Sequence, residues 1–346
     1  MENEERLKRL AAVLPPWFES NKRELPWRRD REPYHVWLSE IMLQQTRVEA
    51  VKGYYARFLA AVPDIPALSA AYPELLHKLW EGLGYYSRVR NLQKAAQLVT
   101  ERHGGVFPRD PKAVRALPGI GDYSAGAICS ICFDLPTPAV DGNVLRVVTR
   151  LLADGRCVDE PAVKKELGAR LAAVYPASGA GTLTQALMEL GATVCVPNCA
   201  PRCASCPASA FCAARAAGRQ QDFPLRKEKR ARRVEKLTVL VLRCDGALAL
   251  KKRAASGLLA GLWEFPNVPG WLELRQVLDL ASAWGLRPRG VEKQLTRTHV
   301  FTHVQWQMRC FYLNCGERAE GFVWADEAAL DGQYALPTAF RMFREP

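Results

Sequence analysis

The cysteines of this chain are concentrated in one short stretch with the spacing of a metal-binding loop. Five of the eleven cysteines lie between residues 195 and 212. Four of them follow the pattern C-x7-C-x2-C-x5-C, so one loop can wrap four thiolates around a common centre: Cys195, Cys203, Cys206 and Cys212. This spacing fits both a [4Fe-4S] cluster and a zinc site with four cysteine ligands. Cys199 is left over and is an alternative first ligand in place of Cys195.

Two carboxylic acids have sequence surroundings that suit acid–base chemistry. Glu40 lies in a helical pattern among the apolar residues of 37–42, where burial would raise its pKa and keep it protonated near neutral pH. Asp141 lies in the loop Val-Asp-Gly-Asn-Val, just before another helical pattern. The alternative interpretations are an exposed glutamate on a helix and an aspartate that only caps one.

Two glycines between helical patterns indicate a place for a phosphate. Gly119 and Gly121 permit a tight turn, after which the amides at the start of the next helix face outward and can bind an anion. An ordinary glycine-closed turn between helices is the alternative. The chain carries 48 Lys and Arg against 36 Asp and Glu, and this net charge of +12 favours a polyanionic partner. Nucleic acid is therefore the first partner to test.

The pattern of the chain changes near residue 217. Apolar residues recur at three- and four-residue spacing over 1–217, which predicts a helical domain. Residues 218–236 contain a basic run and are predicted to form a linker, and the alternating strand patterns of 237–346 predict a second, α+β domain. The chain opens without an apolar leader and has no stretch suited to a membrane span, so a cytoplasmic protein is expected.

Three segments, together with the glycine turn and the cysteine loop, resemble the MutY family of adenine DNA glycosylases in the helix-hairpin-helix, endonuclease III-like superfamily. They are Leu25–Arg28, Trp37–Thr46 and Trp80–Asn91. The resemblance implies an all-α glycosylase domain with a [4Fe-4S] cluster loop at 195–212, followed by a nudix-like (MutT-like) α+β domain that reads 8-oxoguanine. The implied activity is base excision repair: hydrolysis of the N-glycosidic bond of adenine mispaired with 8-oxoguanine or guanine, without strand cleavage.

The resemblance also assigns catalytic roles to single residues. Glu40 would protonate the leaving adenine, and Asp141 would stabilise the oxocarbenium ion. Tyr123 and Asn143 would hydrogen-bond to the Asp141 carboxylate or to the water that it directs. Tyr123 stands where endonuclease III has its Schiff-base lysine, so the resemblance implies that no amine is present for strand cleavage.

Further residues are implied to contact the DNA. Those assigned to the adenine or to the base opposite it are Arg23, Trp27, Arg28, Gln45, Tyr85, Gln185, Met188, Phe301, Thr302 and His303. Those assigned to the DNA backbone are Gly119, Gly121, Arg88 and Arg90, with Arg146 as a further phosphate contact. Thr302 departs from the Phe-Ser-His loop of the family, so an added methyl group must be accommodated beside the base.

Other functions stay open on the sequence alone. These are an endonuclease III-like glycosylase with lyase activity, a non-catalytic protein that binds DNA lesions, and an electron-transfer protein. The expected partner is duplex DNA containing adenine opposite 8-oxoguanine or guanine. A monomer is expected, in the cytoplasm of a bacterium and associated with its nucleoid, with repair or replication proteins binding at the linker.

Overall fold

The structure is a computed structural model that describes residues 1–228 and 231–344. It divides into two compact units: Met1–Ala70 with Asn91–Glu228, and Ala71–Arg90 with Lys229–Pro346. The stretch 71–90, which the sequence-based boundaries assign to the first domain, therefore groups with the second unit. Four residues of the predicted linker and second domain lie outside the described residues, namely Lys229, Arg230, Glu345 and Pro346.

The part of the chain up to residue 217 is helical, which confirms the predicted fold class there. In chain order, the helices are α1 Asn3–Asn21, α2 Pro33–Leu43, α3 Val48–Ala61, α4 Ile65–Ala70, α5 Pro73–Leu79, α6 Ser87–His103, α7 Pro111–Arg115, α8 Asp122–Phe133, α9 Gly142–Leu152, α10 Pro161–Ala172, α11 Ala180–Thr193 and α12 Ala213–Ala216. Short 3-10 turns lie at Pro26–Arg28, Cys203–Ser205, Ser209–Phe211 and Gln220–Asp222.

Helix α11 is at the centre of the first unit, where it packs against α1, α8 and α9. Two of its glycines allow these neighbours to approach closely. A Cβ at Gly181 would lie 2.6 Å from the Ser130 carbonyl oxygen, and a Cβ at Gly191 would lie 2.6 Å from the Cβ of Asn143. Any larger side chain would therefore push α8 or α9 away from α11.

The second unit is built on a mixed sheet, as predicted for an α+β domain. Its strands are β1 Arg233–Cys244, β2 Ala247–Lys252, β3 Trp263–Glu264, β4 Asn267–Pro269, β5 Pro288–Val300, β6 Val304–Cys315 and β7 Val323–Ala325. The order is β3-β2-β1-β6-β5, with β1 and β6 parallel, β4 paired to β1 and β7 paired to β2. Helices α13 Leu274–Ala283, α14 Glu327–Gly332 and α15 Thr338–Arg341 complete this unit.

Two apolar clusters form the core of the second unit. One contains Val239, Met308 and Phe340, and the other contains Leu240, Phe311 and Val277. Neighbouring residues of β1 point into different clusters because side chains alternate along a strand. Among the described residues, no helix combines the length and apolar character that a membrane span requires.

The close contact at Gly191 gives a stability prediction. We expect Gly191→Ala to destabilise the first unit by about 1–3 kcal/mol, because the added methyl group overpacks the α9–α11 contact. Gly155→Ala is the matched control, since a Cβ there meets open space. Thermal unfolding followed by circular dichroism measures both variants, and an unchanged melting temperature for Gly191→Ala would contradict the prediction.

Candidate active site

The first unit contains a cavity of about 580 Å³ that is lined by all four predicted catalytic residues and by several of the predicted substrate-binding residues. Its walls come from the Leu25–Arg28 segment, from α2 and the loop after it, and from α8, α9 and α11. Ten predicted residues line it: Arg23, Trp27, Arg28, Glu40, Gln45, Tyr123, Asp141, Asn143, Gln185 and Met188. Residues from five separate stretches of sequence are thus brought together around one space.

Glu40 is a buried carboxyl group in the wall of this cavity. It lies on α2, and only 5% of its surface is exposed. Burial raises its pKa to about 7, and the nearby charge of Asp141 acts in the same direction. A hydrogen bond from the Tyr123 hydroxyl to Oε2, 2.5 Å long, and the charge of Arg28 oppose this rise without cancelling it. A large fraction of Glu40 is therefore protonated at neutral pH.

Asp141 is the N-cap of α9 and also part of the cavity wall. Its Oδ1 accepts a hydrogen bond from the Val144 amide, and its Oδ2 accepts one from the Asn143 side chain, each 2.7 Å long. Burial holds the pKa of Asp141 above its usual value, although these hydrogen bonds and the charge of Arg146 oppose the rise. The donors and the helix N-terminus both favour the charged form.

The hydrogen bond of Tyr123 corrects one prediction. Its hydroxyl donates to Glu40 and not to Asp141, because Tyr123 begins the part of α8 that packs against α2. Burial and the charges of both carboxylates raise its pKa well above the ordinary value. Tyr123 therefore stays a hydrogen-bond donor across the whole accessible pH range. Asn143, by contrast, contacts Asp141 as predicted.

A buried chain of hydrogen bonds runs from Asp141 to the cysteine loop. The Oδ1 of Asn143 accepts a bond of 2.9 Å from Arg146, and Arg146 also donates to the carbonyl oxygens of Cys195 and Gly191, each at 2.7 Å. Arg146 is only 6% exposed. The predicted phosphate contact of Arg146 is therefore wrong for this arrangement, and its guanidinium instead fixes Asn143 relative to the loop.

Four cysteines of the loop lie within electrostatic range of one another. Burial, together with the charges of Cys195, Cys212 and Cys203, raises the pKa of Cys206 to about 11. The fifth cysteine, Cys199, is exposed, whereas these four are partly buried. Within residues 1–228 and 231–344, no group of three or more His, Cys, Asp or Glu side chains is arranged to hold a metal ion.

Glu189 is a site residue that the sequence analysis missed. Its side chain is buried and accepts hydrogen bonds from Arg23 Nε at 2.6 Å and from Arg28 Nη2 at 2.7 Å. Burial would raise the pKa of Glu189, but the two arginines hold it below the ordinary value. The helical spacing of Gln185, Met188 and Glu189 was the signal available, since it puts all three on one face of α11.

Lys164 also lines the cavity and was not among the predicted site residues. This exposed lysine lies on α10, whereas the amine for strand cleavage was expected to be missing at the position of Tyr123. The expectation that no amine serves strand cleavage therefore stays a prediction.

Arg88 and Arg90 both bind backbone carbonyl oxygens within the second unit. Arg88 is 8% exposed and donates to the carbonyl oxygens of Leu83 and Gly84, both at 3.1 Å. Arg90 is half-buried and donates to the carbonyl oxygen of Ala260 at 2.9 Å. The predicted phosphate contact of Arg88 is corrected accordingly, because its guanidinium is buried, whereas that of Arg90 stays a prediction.

Two predicted DNA-inserting residues have unusual backbone conformations. Gln45 has φ of 60° and Tyr85 has φ of 49°, and both side chains are exposed. Residues other than glycine rarely occupy this left-handed region, where strain is typical of functional positions. Gln45 lies in the first unit, whereas Tyr85 lies in the second.

The glycine turn has the local structure that the sequence predicts. Gly119 has φ of 78°, and a Cβ there would lie 2.7 Å from the Cβ of Asn91, so both conformation and space require glycine. Gly121 is the N-cap of α8, and the space beside it is open. Arg115 and Asp122 form an ion pair across the turn.

The predicted recognition loop joins β5 to β6 in the second unit. Thr302 and His303 are exposed, whereas Phe301 is half-buried between His299 and Trp306, with ring centroids 4.5 and 4.8 Å away. The hydroxyl groups of Thr302 and Tyr85 are hydrogen-bonded at 2.7 Å. Two residues that the resemblance assigns to the base opposite adenine are therefore in direct contact.

Comparison with known proteins supports both units. Residues 38–172 match the model of the HhH-GPD superfamily of base excision DNA repair proteins, and residues 238–345 match that of the NUDIX domain. The chain is 38% identical to the adenine DNA glycosylase of Mus musculus, over 96% of this chain and 77% of that one. It is 36% identical to the adenine DNA glycosylase of Homo sapiens, over 84% of this chain, and spans 64% of the human protein's length.

The first unit also resembles a solved structure. A thermostable thymine-DNA glycosylase superposes with a TM-score of 0.56 at 25% identity, covering 62% of this chain and 98% of that one. The helical unit is therefore a fold that other DNA glycosylases share.

The hydrogen bond between Tyr123 and Glu40 gives a prediction about protonation. In Tyr123→Phe, the pKa of Glu40 should rise further above its value of about 7, because the lost hydrogen bond favoured the charged carboxylate. Titration of 13C-labelled carboxyl groups by NMR measures this. Tyr175→Phe, which removes another buried hydroxyl of the same unit, should leave the Glu40 pKa in place. An unchanged or lower Glu40 pKa in Tyr123→Phe would show that the hydroxyl does not control this group.

Proposed function

The chain belongs to the adenine DNA glycosylase family, and from this membership we propose that it hydrolyses the N-glycosidic bond of adenine paired with 8-oxoguanine or guanine in duplex DNA. One observation carries the proposal. Glu40, with a pKa of about 7, and the hydrogen-bonded Asp141 line the same cavity, so an acid and a carboxylate are available to one substrate.

The two carboxyl groups match the two needs of the reaction. Adenine leaves poorly as an anion, so Glu40 donates a proton to the departing base while the bond breaks. The sugar becomes positively charged, and the carboxylate of Asp141 stabilises that charge. Different environments separate their roles, because Glu40 receives one hydrogen bond from Tyr123 whereas Asp141 receives bonds from Val144 and Asn143.

The remaining cavity walls suit a flipped purine. An adenine must leave the base stack to reach Glu40, at a cost of a few kcal/mol. Trp27 and Met188 supply apolar contacts to its ring, and the amide of Gln185 can form paired hydrogen bonds with adenine. Glu189 holds Arg23 and Arg28 in place at the same wall, so these long side chains lose little further freedom when the base enters.

We also propose that four cysteines hold a [4Fe-4S] cluster: Cys195, Cys203, Cys206 and Cys212. The chemistry of the donor set fits, because these thiols are partly buried, mutually close and next to Arg150, whose Nη1 lies 3.4 Å from the Cys195 sulfur. A cluster binds each thiolate through a different iron, so the sulfurs need not converge on one point. Bound there, it would cross-link the loop through four iron–thiolate bonds. Cys199 is exposed and stays outside this set.

The second unit is proposed to read the base opposite adenine. Thr302 offers a hydroxyl that can donate to or accept from 8-oxoguanine, and its contact with Tyr85 fixes the direction of that group. The exposed ring of Tyr85 is available to stack on a neighbouring base. Thr302 is exposed on this loop, so the second unit does not enclose its extra methyl group.

Excision assays test the proposed reaction. Duplexes with one adenine opposite 8-oxoguanine, guanine or thymine are incubated with the chain, and alkali then cleaves abasic sites. We expect breaks at adenine in the first two duplexes, only after alkali, with a rate that falls about tenfold per pH unit above the Glu40 pKa of about 7. Glu40→Gln should excise about 10² to 10⁴ times more slowly while still binding DNA.

Glu32→Gln, a change at the exposed N-terminus of the same helix, is the matched control and should keep the wild-type rate. Release of uracil or thymine glycol without release of adenine would reject the proposal. Strand cleavage without alkali, with borohydride trapping that is lost in Lys164→Ala, would favour the lyase alternative instead.

The cluster is tested separately from activity. The purified chain should be brown, absorb broadly at the blue end of the visible spectrum and contain about four irons. Cys206→Ser should lose this absorption, whereas Cys199→Ser should keep it. Zinc in place of iron would contradict the proposed cluster. If Cys199→Ser lost the absorption and Cys195→Ser kept it, Cys199 would be the first ligand in place of Cys195.

A further inference from the structure

An ion pair within the segment Ala71–Arg90 forms hydrogen bonds to backbone groups in the C-terminal part of the second unit. The ammonium group of Lys78 lies 2.7 Å from Glu81 and donates to the carbonyl oxygens of Leu330 at 2.8 Å and Tyr334 at 3.4 Å. Glu81 in turn accepts a hydrogen bond of 2.8 Å from the Leu336 amide. The two side chains are only 18% and 14% exposed, so water screens this pair weakly.

The same segment is attached at two other points. Glu74 pairs with Lys252 on β2 at 3.0 Å, and Arg90 donates to the Ala260 carbonyl oxygen at 2.9 Å. The Lys78–Glu81 pair is the more shielded of the two ion pairs, since Lys252 and Glu74 are each about half exposed. A shielded pair that also binds backbone groups restricts motion more than an exposed one.

The segment carries Tyr85 only four residues beyond Glu81. The turn between them is held by Trp80, whose indole donates to the Gly84 carbonyl oxygen at 3.1 Å, and by Arg88, which donates to the same oxygen. The turn therefore moves as a unit with α5. Any displacement of Glu81 from residues 330–336 is passed on to the Tyr85 hydroxyl and its bond to Thr302.

We propose that Lys78 and Glu81 are positioning residues that set the preference for 8-oxoguanine over guanine opposite the excised adenine. This inference rests on the proposed function. Neither side chain lines the cavity that holds Glu40 and Asp141. They act by fixing where Tyr85 meets Thr302, and so determine how the opposite base is read while the excision chemistry of the first unit is unchanged.

Single-turnover excision from duplexes with adenine opposite 8-oxoguanine or opposite guanine tests the inference. Lys78→Met and Glu81→Ala should each reduce the rate ratio between the two duplexes about tenfold, which corresponds to about 1.4 kcal/mol. Excision opposite guanine should stay within about twofold of wild type, because neither residue lines the cavity that holds Glu40 and Asp141. A twofold change in rate corresponds to less than about 0.5 kcal/mol. Lys78→Arg keeps both the charge and the donors and should retain the ratio.

Two further variants separate positioning from a general loss of structure. Glu317→Ala breaks an exposed ion pair with Arg287 in the same unit and should leave the ratio unchanged. Thr302→Ala should lower the ratio, and Glu81→Ala combined with it should lower the ratio no further, because both changes disrupt the same contact. Glu81→Gln, which keeps an acceptor for the Leu336 amide, provides a folded variant if Glu81→Ala is unstable.

The outcomes are distinct. A lower ratio in the Lys78 and Glu81 variants with unchanged excision opposite guanine supports the inference. An unchanged ratio, an equal loss of rate on both duplexes, or additive loss in the double variant overturns it while leaving the proposed function intact. A wild-type chain that excises no adenine opposite either base overturns the proposed function, and the inference with it.

Discussion

The chemistry of this chain depends on the unequal environments of two carboxyl groups in one cavity. Glu40 is removed from water by the apolar side of α2 and receives a single hydrogen bond, so its neutral form is stabilised. Asp141 is also removed from water, but a helix N-terminus and the Asn143 amide face it. The charge of Asp141 also raises the pKa of Glu40, so the proton stays on the group with fewer donors. The proposed roles of Glu40 as acid and Asp141 as carboxylate thus follow from burial and from the number of hydrogen bonds that each group accepts.

This asymmetry is maintained by packing directly behind the cavity wall. Asn143 holds its orientation because Arg146 binds it from behind, and Arg146 is itself bound to the carbonyl oxygens of Gly191 and Cys195. The α9–α11 distance that permits this exists only because residue 191 has no side chain. The cysteine loop therefore contributes to the catalytic carboxylate through geometry, and a structural cluster would act on Asp141 without taking part in the reaction. Burial of Arg146 is tolerated because its donors are satisfied.

Sequence reasoning found what depends on local pattern and missed what depends on tertiary contacts. The helical and α+β regions follow from periodicity, and burial of Glu40 follows from its apolar neighbours. The expected role of Asp141 came from the resemblance, because its surroundings alone indicate a helix N-cap. The hydrogen-bond partner of the Tyr123 hydroxyl could not be predicted from the sequence, because it depends on how α8 packs against α2. Arg88 looks like a phosphate contact in a basic chain, yet backbone carbonyl oxygens bind it. Glu189 was overlooked because an acidic residue in a helix is usually exposed.

Residues 71–90 group with the second unit through tertiary contacts, which the local sequence pattern does not reveal. This grouping has a functional consequence. Chain order puts Tyr85 among the helices of the first unit, but its attachments through Lys78, Glu81 and Arg90 all lead to residues beyond 230. The residues proposed to break the bond and those proposed to read the opposite base therefore belong to different units. Thr302 is not among the residues that line the cavity of Glu40 and Asp141. Under the proposed function, a substitution at residue 302 thus acts on the reading of the opposite base and leaves the side chains of that cavity unchanged.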